Sequence, residues 1–151
     1  MWQLSGFIDE ISSDLGEQLD LVKALGLPSV ELRSVWDTNL LDLDAAQLQR
    51  VRRELATAGV RVSSIGSPIG KVPITDDNEP HLERMRHALD VAQFFDAPFI
   101  RVFSYFMPAG DSPDDYRYEV ISRMRALATI AEDSGVTLIH ENEKEDRKSV
   151  V

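Results

Sequence analysis

Residues 96–102 read DAPFIRV, and the same handover from helix to strand recurs as GLPSVEL at 26–32, AGVRVSS at 58–64 and SGVTLIH at 134–140. In each, Gly26, Gly59, Pro98 or Gly135 punctuates the end of a helical pattern and a short apolar run follows. The helices that lead into these handovers can be read from their stripes. Leu15, Leu19 and Val22 form the first, opened by Asp14 and Glu17 at capping-box spacing, and Leu48, Val51 and Leu55 form the second, which starts near Asp44. The third has Pro80 in its first turn and a stripe of Leu82, Met85 and Leu89. The fourth is expected to be capped by Ser112, opened by Pro113, and to turn Val120, Met124, Leu127 and Ala131 inward. With Leu4 to Ile8 as an opening strand, the others run from Ser29 to Arg33, Val60 to Ile65, Phe99 to Phe103 and Val136 to His140. The order is βαβαβαβαβ, and strands separated by whole helices pair in parallel through crossovers.

A doubly wound sheet and a (β/α)8 barrel both satisfy that order, and the two faces of the strands separate them. One alternating set is almost wholly apolar: Leu4, Gly6 and Ile8; Val30 and Leu32; Val60 and Val62; Ile100 and Val102; Val136 and Leu138. The other set mixes in polar groups: Ser5, Phe7 and Asp9; Glu31 and Arg33; Arg61, Ser63 and Ile65; Phe99, Arg101 and Phe103; Thr137, Ile139 and Glu141. Helices cover both faces of a doubly wound sheet, so both should be apolar, whereas the inner face of a barrel can line a polar pocket at the carboxyl ends of its strands. The pattern favours the barrel. We therefore expect an α/β fold that is a partial (β/α)8 TIM barrel: about four βα units plus a fifth strand in a parallel sheet.

Such a barrel needs eight units. Residues 1–145 are accordingly expected to be the amino-terminal portion of a TIM-barrel domain. Residues 146–151, DRKSVV, match one frame of a common sequencing adapter whose next triplet is a stop, so they are expected to be a non-native tail. The alternative is a short protein with a charged tail, and an uninterrupted genomic reading frame through DRKSVV would establish it.

Composition narrows the partners. With 16 basic against 26 acidic residues and a net charge of -10, the chain repels phosphate backbones, so no nucleic-acid partner is expected. Apolar runs are short and the amino terminus is no signal peptide, so neither is a membrane. The absence of cysteine removes disulfides, thiolate metal sites and a thiol nucleophile, and makes the cytoplasm the default location.

Glu141 is the first candidate for chemistry. It ends the fifth strand on the polar face, where barrel enzymes project catalytic groups, and a carboxylate there can bind a hard divalent ion or move a proton. Glu31, Arg33 and Arg101 share that face and can pair with one another or orient substrate hydroxyls. Ser67 and Lys71, in the loop after the third strand, have the donors to hold a hydroxyl or a phosphate, although GSPIGK is no P-loop. His140 lies on the apolar face and is read as a packed, hydrogen-bonded histidine. His81 and His87 are read as surface residues of the third helix. Tyr105, Phe106 and Met107 open a long loop, either as an apolar wall for a bound ligand or as a cover for the core.

The runs FIDEIS, VELRSVW, IGSPIGK, IRVFSYF and GVTLIHENE, in this order and spacing, resemble the xylose isomerase-like TIM barrels, the sugar phosphate isomerases and epimerases. The resemblance covers residues 4 to about 145. It implies a divalent metal, Mn2+ or Mg2+, held by carboxylates and a histidine from the last four strands, which polarises a sugar while glutamates move a proton beside its carbonyl. Only the fifth-strand glutamate carries over, onto Glu141, as metal ligand and catalytic group. The expectation is thus a truncated sugar or sugar phosphate isomerase or epimerase, its parent active and this chain inactive, acting on a small-molecule sugar. Two rivals remain: the endonuclease IV branch of the superfamily, disfavoured by acidity and few histidines, and a non-catalytic half-barrel. Two strand edges would be exposed in such a piece, so self-association is expected.

Overall fold

The structure, a computed structural model, describes residues 3–142. Its elements are α1 (Leu15–Ala24), β1 (Ser29–Leu32), β2 (Ser34–Val35), β3 (Thr38–Asn39), α2 (Ala45–Ala58), β4 (Arg61–Ile65), α3 (Glu79–Phe94), β5 (Phe99–Val102), α4 (Pro113–Ala131) and β6 (Thr137–His140). The four expected helices and the four expected strands after the opening one are present, with ends shifted by a few residues at most. The tail at 146–151 lies outside the described residues.

The sheet is parallel and its order is β1-β4-β5-β6, which is chain order with the small β2–β3 hairpin set aside. A doubly wound sheet would reverse direction from its first strand, whereas consecutive staves in sequence are the arrangement of a (β/α)8 barrel. One face is greasy: Val30, Leu32, Val62, Ile65, Ile100 and Val102 are all 6% exposed or less. The helices pack on the sheet, α3 against β4 and β5 and α4 against β6, so apolar burial drives the layer.

Local chemistry fixes the helix ends. Asp44 and Gln47 form a reciprocal capping box at α2, and the Asp14 side chain accepts from the Glu17 N–H at α1. Ser112 stands at the amino end of α4 without a side-chain bond to the backbone. Along that helix only Leu127 and Ala131 are buried, while Val120 and Met124 are half-buried.

Three expectations are corrected. The opening segment is not a full strand: it joins the sheet through one parallel bridge, Phe7 to Glu31, with the Glu31 N–H donating to the Gly6 carbonyl at 2.9 Å. Leu4 is 72% exposed, so this segment has little apolar packing to hold it straight. Second, a β-bulge lies in β4: Val30 pairs with Val62 but Glu31 pairs with Ser64. Ser63 is the extra residue, its hydroxyl donating to the Val30 carbonyl at 2.9 Å. The bulge reverses the phase, so Ile65 joins the greasy face and Ser64, with Gly66 after it, takes the inner one. Third, the β2–β3 hairpin was not expected, because its two-residue turn is Trp36-Asp37 with both φ positive, at 53 and 56, in place of an Asn-Gly signal.

Candidate functional site

The inner face at the carboxyl ends of the strands carries a layered stack of cations and rings. Phe7 lies across Gly66, where a β-carbon would stand 2.8 Å from the Phe7 ring, so only glycine lets the ring reach this place. Against that ring sit the guanidinium groups of Arg33, at 4.6 Å, and Arg101, at 4.8 Å. Arg101 also faces the ring of Phe103 at 4.8 Å, and the Lys71 ammonium lies 4.3 Å from the Phe103 centroid. The sequence thus runs Arg33, Phe7, Arg101, Phe103, Lys71, five groups from four different segments. Each cation on a ring face is worth about 0.5–2 kcal/mol, more where water is excluded.

Carboxylates neutralise the stack from its sides. Arg33 donates to Asp9 through Nε at 2.8 Å and Nη2 at 3.1 Å, and to Glu10 at 3.2 Å. The hydrogen bond with Asp9 raises the Arg33 guanidinium above its already high ordinary value. Arg101, only 6% exposed, donates through Nη1 to Glu141 Oε2 at 3.2 Å and through Nη2 to the Ser67 carbonyl at 3.4 Å. The Ser67 hydroxyl, itself buried, donates to the Arg101 carbonyl. Glu141 continues β6, its N–H donating to the Val102 carbonyl at 3.0 Å.

The structure therefore brings Arg33, Ser67, Lys71, Arg101 and Glu141 to one face. Glu31 shares it in β1, half-buried, yet it belongs to neither arginine's ion pairs. The expected mutual pairing of Glu31, Arg33 and Arg101 is replaced by Asp9, Glu10 and Glu141. Phe7 and Phe103 build the aromatic wall, and both stood with Asp9 in the polar alternating set, which was the signal for them. Tyr105 is 1% exposed and serves the core.

The histidines also differ from expectation. His81 is 8% exposed, and its Nε2 accepts from the Gly70 N–H at 2.9 Å. His87 is half-buried with Nε2 3.1 Å from the Leu41 carbonyl. His140 is exposed, because no helix follows β6 among the described residues to cover it.

Among the described residues no three acidic or histidine side chains converge as a metal site. Glu141 alone, tied to Arg101, does not complete the coordination shell of a hard divalent ion, which takes six or more ligands. The donor set described here does not fit a bound ion by itself. No helix among the described residues is long and apolar enough to cross a membrane.

Consecutive parallel staves, helices on the outer face and a charged inner face at the carboxyl ends define a partial (β/α)8 barrel. The sequence profile of the xylose isomerase-like TIM barrels matches residues 19–150, and the chain belongs to that family. No curated protein matches by sequence. Among solved structures, the chain is similar to a xylose isomerase-like TIM barrel protein from Mycobacterium smegmatis in complex with magnesium (TM-score 0.72, 19% identity, 96% of this chain and 56% of that one). It is also similar to 3-keto-D-glucoside 4-epimerase from E. coli (0.70, 16%, 95% and 57%). A third is the probable 3-DHS dehydratase of petrobactin synthesis from Bacillus anthracis (0.75, 16%, 95% and 53%). The chain spans about half the length of the structures it matches.

Proposed function

We propose that this chain supplies the front half of the pocket of a metal-dependent isomerase or epimerase acting on a sugar or sugar phosphate. The observation that carries the reading is the Arg101–Glu141 pair set between Phe7 and Phe103 at the carboxyl ends of the strands. The half-buried Phe7 ring offers its edge to the C–H face of a sugar, with Phe103 and Arg101 buried behind it, and the half-buried Arg33 and Lys71 are the donors that would answer its oxygens or a phosphate. Glu141 stands where a carboxylate can move a proton beside a carbonyl, and it is the one ligand we assign to a divalent ion, magnesium or manganese. The other ligands and the second acid/base group have no counterpart among the described residues, so we propose that the chain alone binds sugar without turning it over.

Solvent-deuterium incorporation beside the carbonyl of ketohexoses and their phosphates, followed by proton NMR with added Mg2+ or Mn2+, tests this. The 151-residue chain is expected to incorporate none, and the chain completed to an eight-stranded barrel by three further strands is expected to exchange and to lose exchange on Glu141→Gln. Exchange by the 151-residue chain would overturn the proposed inactivity. Exchange by the joined protein that survives Glu141→Gln would overturn the role of that carboxylate.

A further inference from the structure

The loop that follows β4 is held by a contact the sugar reading does not use. Gly70 has φ +91, and a β-carbon built on it would stand 1.9 Å from the Phe103 carbonyl oxygen, so its backbone lies directly on the chain leaving β5. Four backbone hydrogen bonds zip the two loops together: Phe103 N–H to Ile69 O at 2.7 Å, Tyr105 N–H to Gly70 O at 2.8 Å, Phe106 N–H to Val72 O at 2.9 Å and Ile74 N–H to Phe106 O at 2.8 Å. One donor in this zip, the Gly70 N–H, finds no backbone carbonyl and is received by His81 Nε2 from the first turn of α3. An imidazole nitrogen can accept only when it carries no proton, so this bond exists with neutral His81 alone.

The surroundings oppose a charge on that ring. His81 is buried, and its ring stands edge-on to Tyr105, centroids 5.5 Å apart. Arg123 of α4 lies over the other partner, 5.6 Å from the Tyr105 centroid, and is itself paired with Glu119. Arg84 approaches from α3, paired with Asp42, and Lys71, Asp76 and Asp77 share with His81 the lining of a groove of about 540 Å3 behind the loop. Burial first, then the positive charges of Arg123 and Arg84, holds the imidazole below its ordinary value.

We infer that His81 is a positioning residue, a proton-sensitive latch that fixes the Gly70 turn and, through Ser67, the placement of Arg101 and Glu141. The Ser67 hydroxyl takes the Ile69 N–H at 3.2 Å and gives its own proton to the Arg101 carbonyl, while the Ser67 carbonyl takes the Arg101 guanidinium. Protonation of Nε2 replaces an acceptor by a donor facing the Gly70 N–H, and two donors repel. Because the latched state favours neutral His81, it is fully held above the ordinary value of 6.5 and is weakened as the pH falls below it. That this turn serves a sugar site rests on the function proposed above, whereas the latch is read from the protein's own amides.

Amide hydrogen exchange of the full chain, corrected for the intrinsic pH dependence, tests the latch between about pH 7.5 and about pH 5, with the His81 ring titration followed by NMR in the same samples. Opening at Gly70, Tyr105 and Phe106 is expected to rise by up to about tenfold for each pH unit below 6.5, while Val30 and Ile100 in the sheet keep their protection. His81→Gln, which accepts but does not titrate in this range, is expected to keep the turn closed and to abolish the pH dependence. Wild-type protection that stays flat through the His81 titration would overturn the inference, as would the same pH dependence in His81→Gln. If His81→Gln does not fold, the wild-type data still decide, since the opening of Gly70 must begin to rise near 6.5 and level off at the lower pH where the latched ring itself titrates.

Discussion

Tyr105→Phe is expected to stabilise this protein, contrary to the usual effect of a core substitution. Tyr105 is 1% exposed, and its hydroxyl is buried without a hydrogen-bond partner among the described residues. Burial pushes its ionisation up to about 12, so it remains a neutral, unsatisfied donor at every ordinary pH. A polar group left in that state costs about 1–3 kcal/mol relative to its hydrated form. Phenylalanine keeps the ring, and with it the edge contact to His81 and the face that Arg123 covers, while a slightly weaker cation–ring attraction returns a few tenths of a kcal/mol. The difference is a gain of about 1–2 kcal/mol. For a domain of this size each kcal/mol raises the melting temperature by about 2–4 °C. Urea unfolding followed by circular dichroism checks it: the midpoint should rise with an unchanged slope. A loss of about 1 kcal/mol or more would refute the reasoning, because it would mean that the hydroxyl is bonded after all.

Other consequences follow from the same geometry. Gly70→Ala places a methyl group against the Phe103 carbonyl at a positive φ and is expected to cost more than about 3 kcal/mol, seen as loss of the cooperative urea transition. Asp44→Ala breaks the capping box of α2 and should cost about 0.5–2 kcal/mol by the same assay, with Asp44→Asn recovering most of it. Glu141→Gln leaves the buried Arg101 guanidinium on two ring faces and the Ser67 carbonyl. Since Glu141 is half-exposed, the loss should be small, about 1 kcal/mol or less, and should shrink further in high salt.

What the sequence made legible divides along the range of the forces involved. Helix stripes and strand runs are local, and Leu15, Leu19 and Val22 or Met85 and Leu89 announce their buried faces by spacing alone. The separation of a charged inner face from a greasy outer one followed from alternation, which is why Arg33, Arg101 and Glu141 could be placed together. Alternation fails at one inserted residue, and the bulge at Ser63 exchanged the faces of Ser64 and Ile65 without any compositional mark. The pairing of charges was equally hidden. Asp9 and Glu10 reach Arg33 beside the place where Phe7 crosses Gly66, a contact between residues far apart in the chain. His81 was misjudged for the same reason: a helical histidine next to Pro80 reads as surface until the Gly70 turn comes to rest on it.

We propose that Phe7, Arg101, Phe103 and Glu141 form one wall that receives a sugar. Titrating a ketohexose phosphate into the chain while following the Arg101 Nε–H signal and the ring protons of Phe7 and Phe103 by NMR tests it most directly. We predict saturable shifts at all three residues in the wild type, with those of the Phe7 and Phe103 ring protons lost in Arg101→Met. Shifts confined to the opposite end of the strands, near Arg61 and Phe99, or none at these residues, would contradict the account.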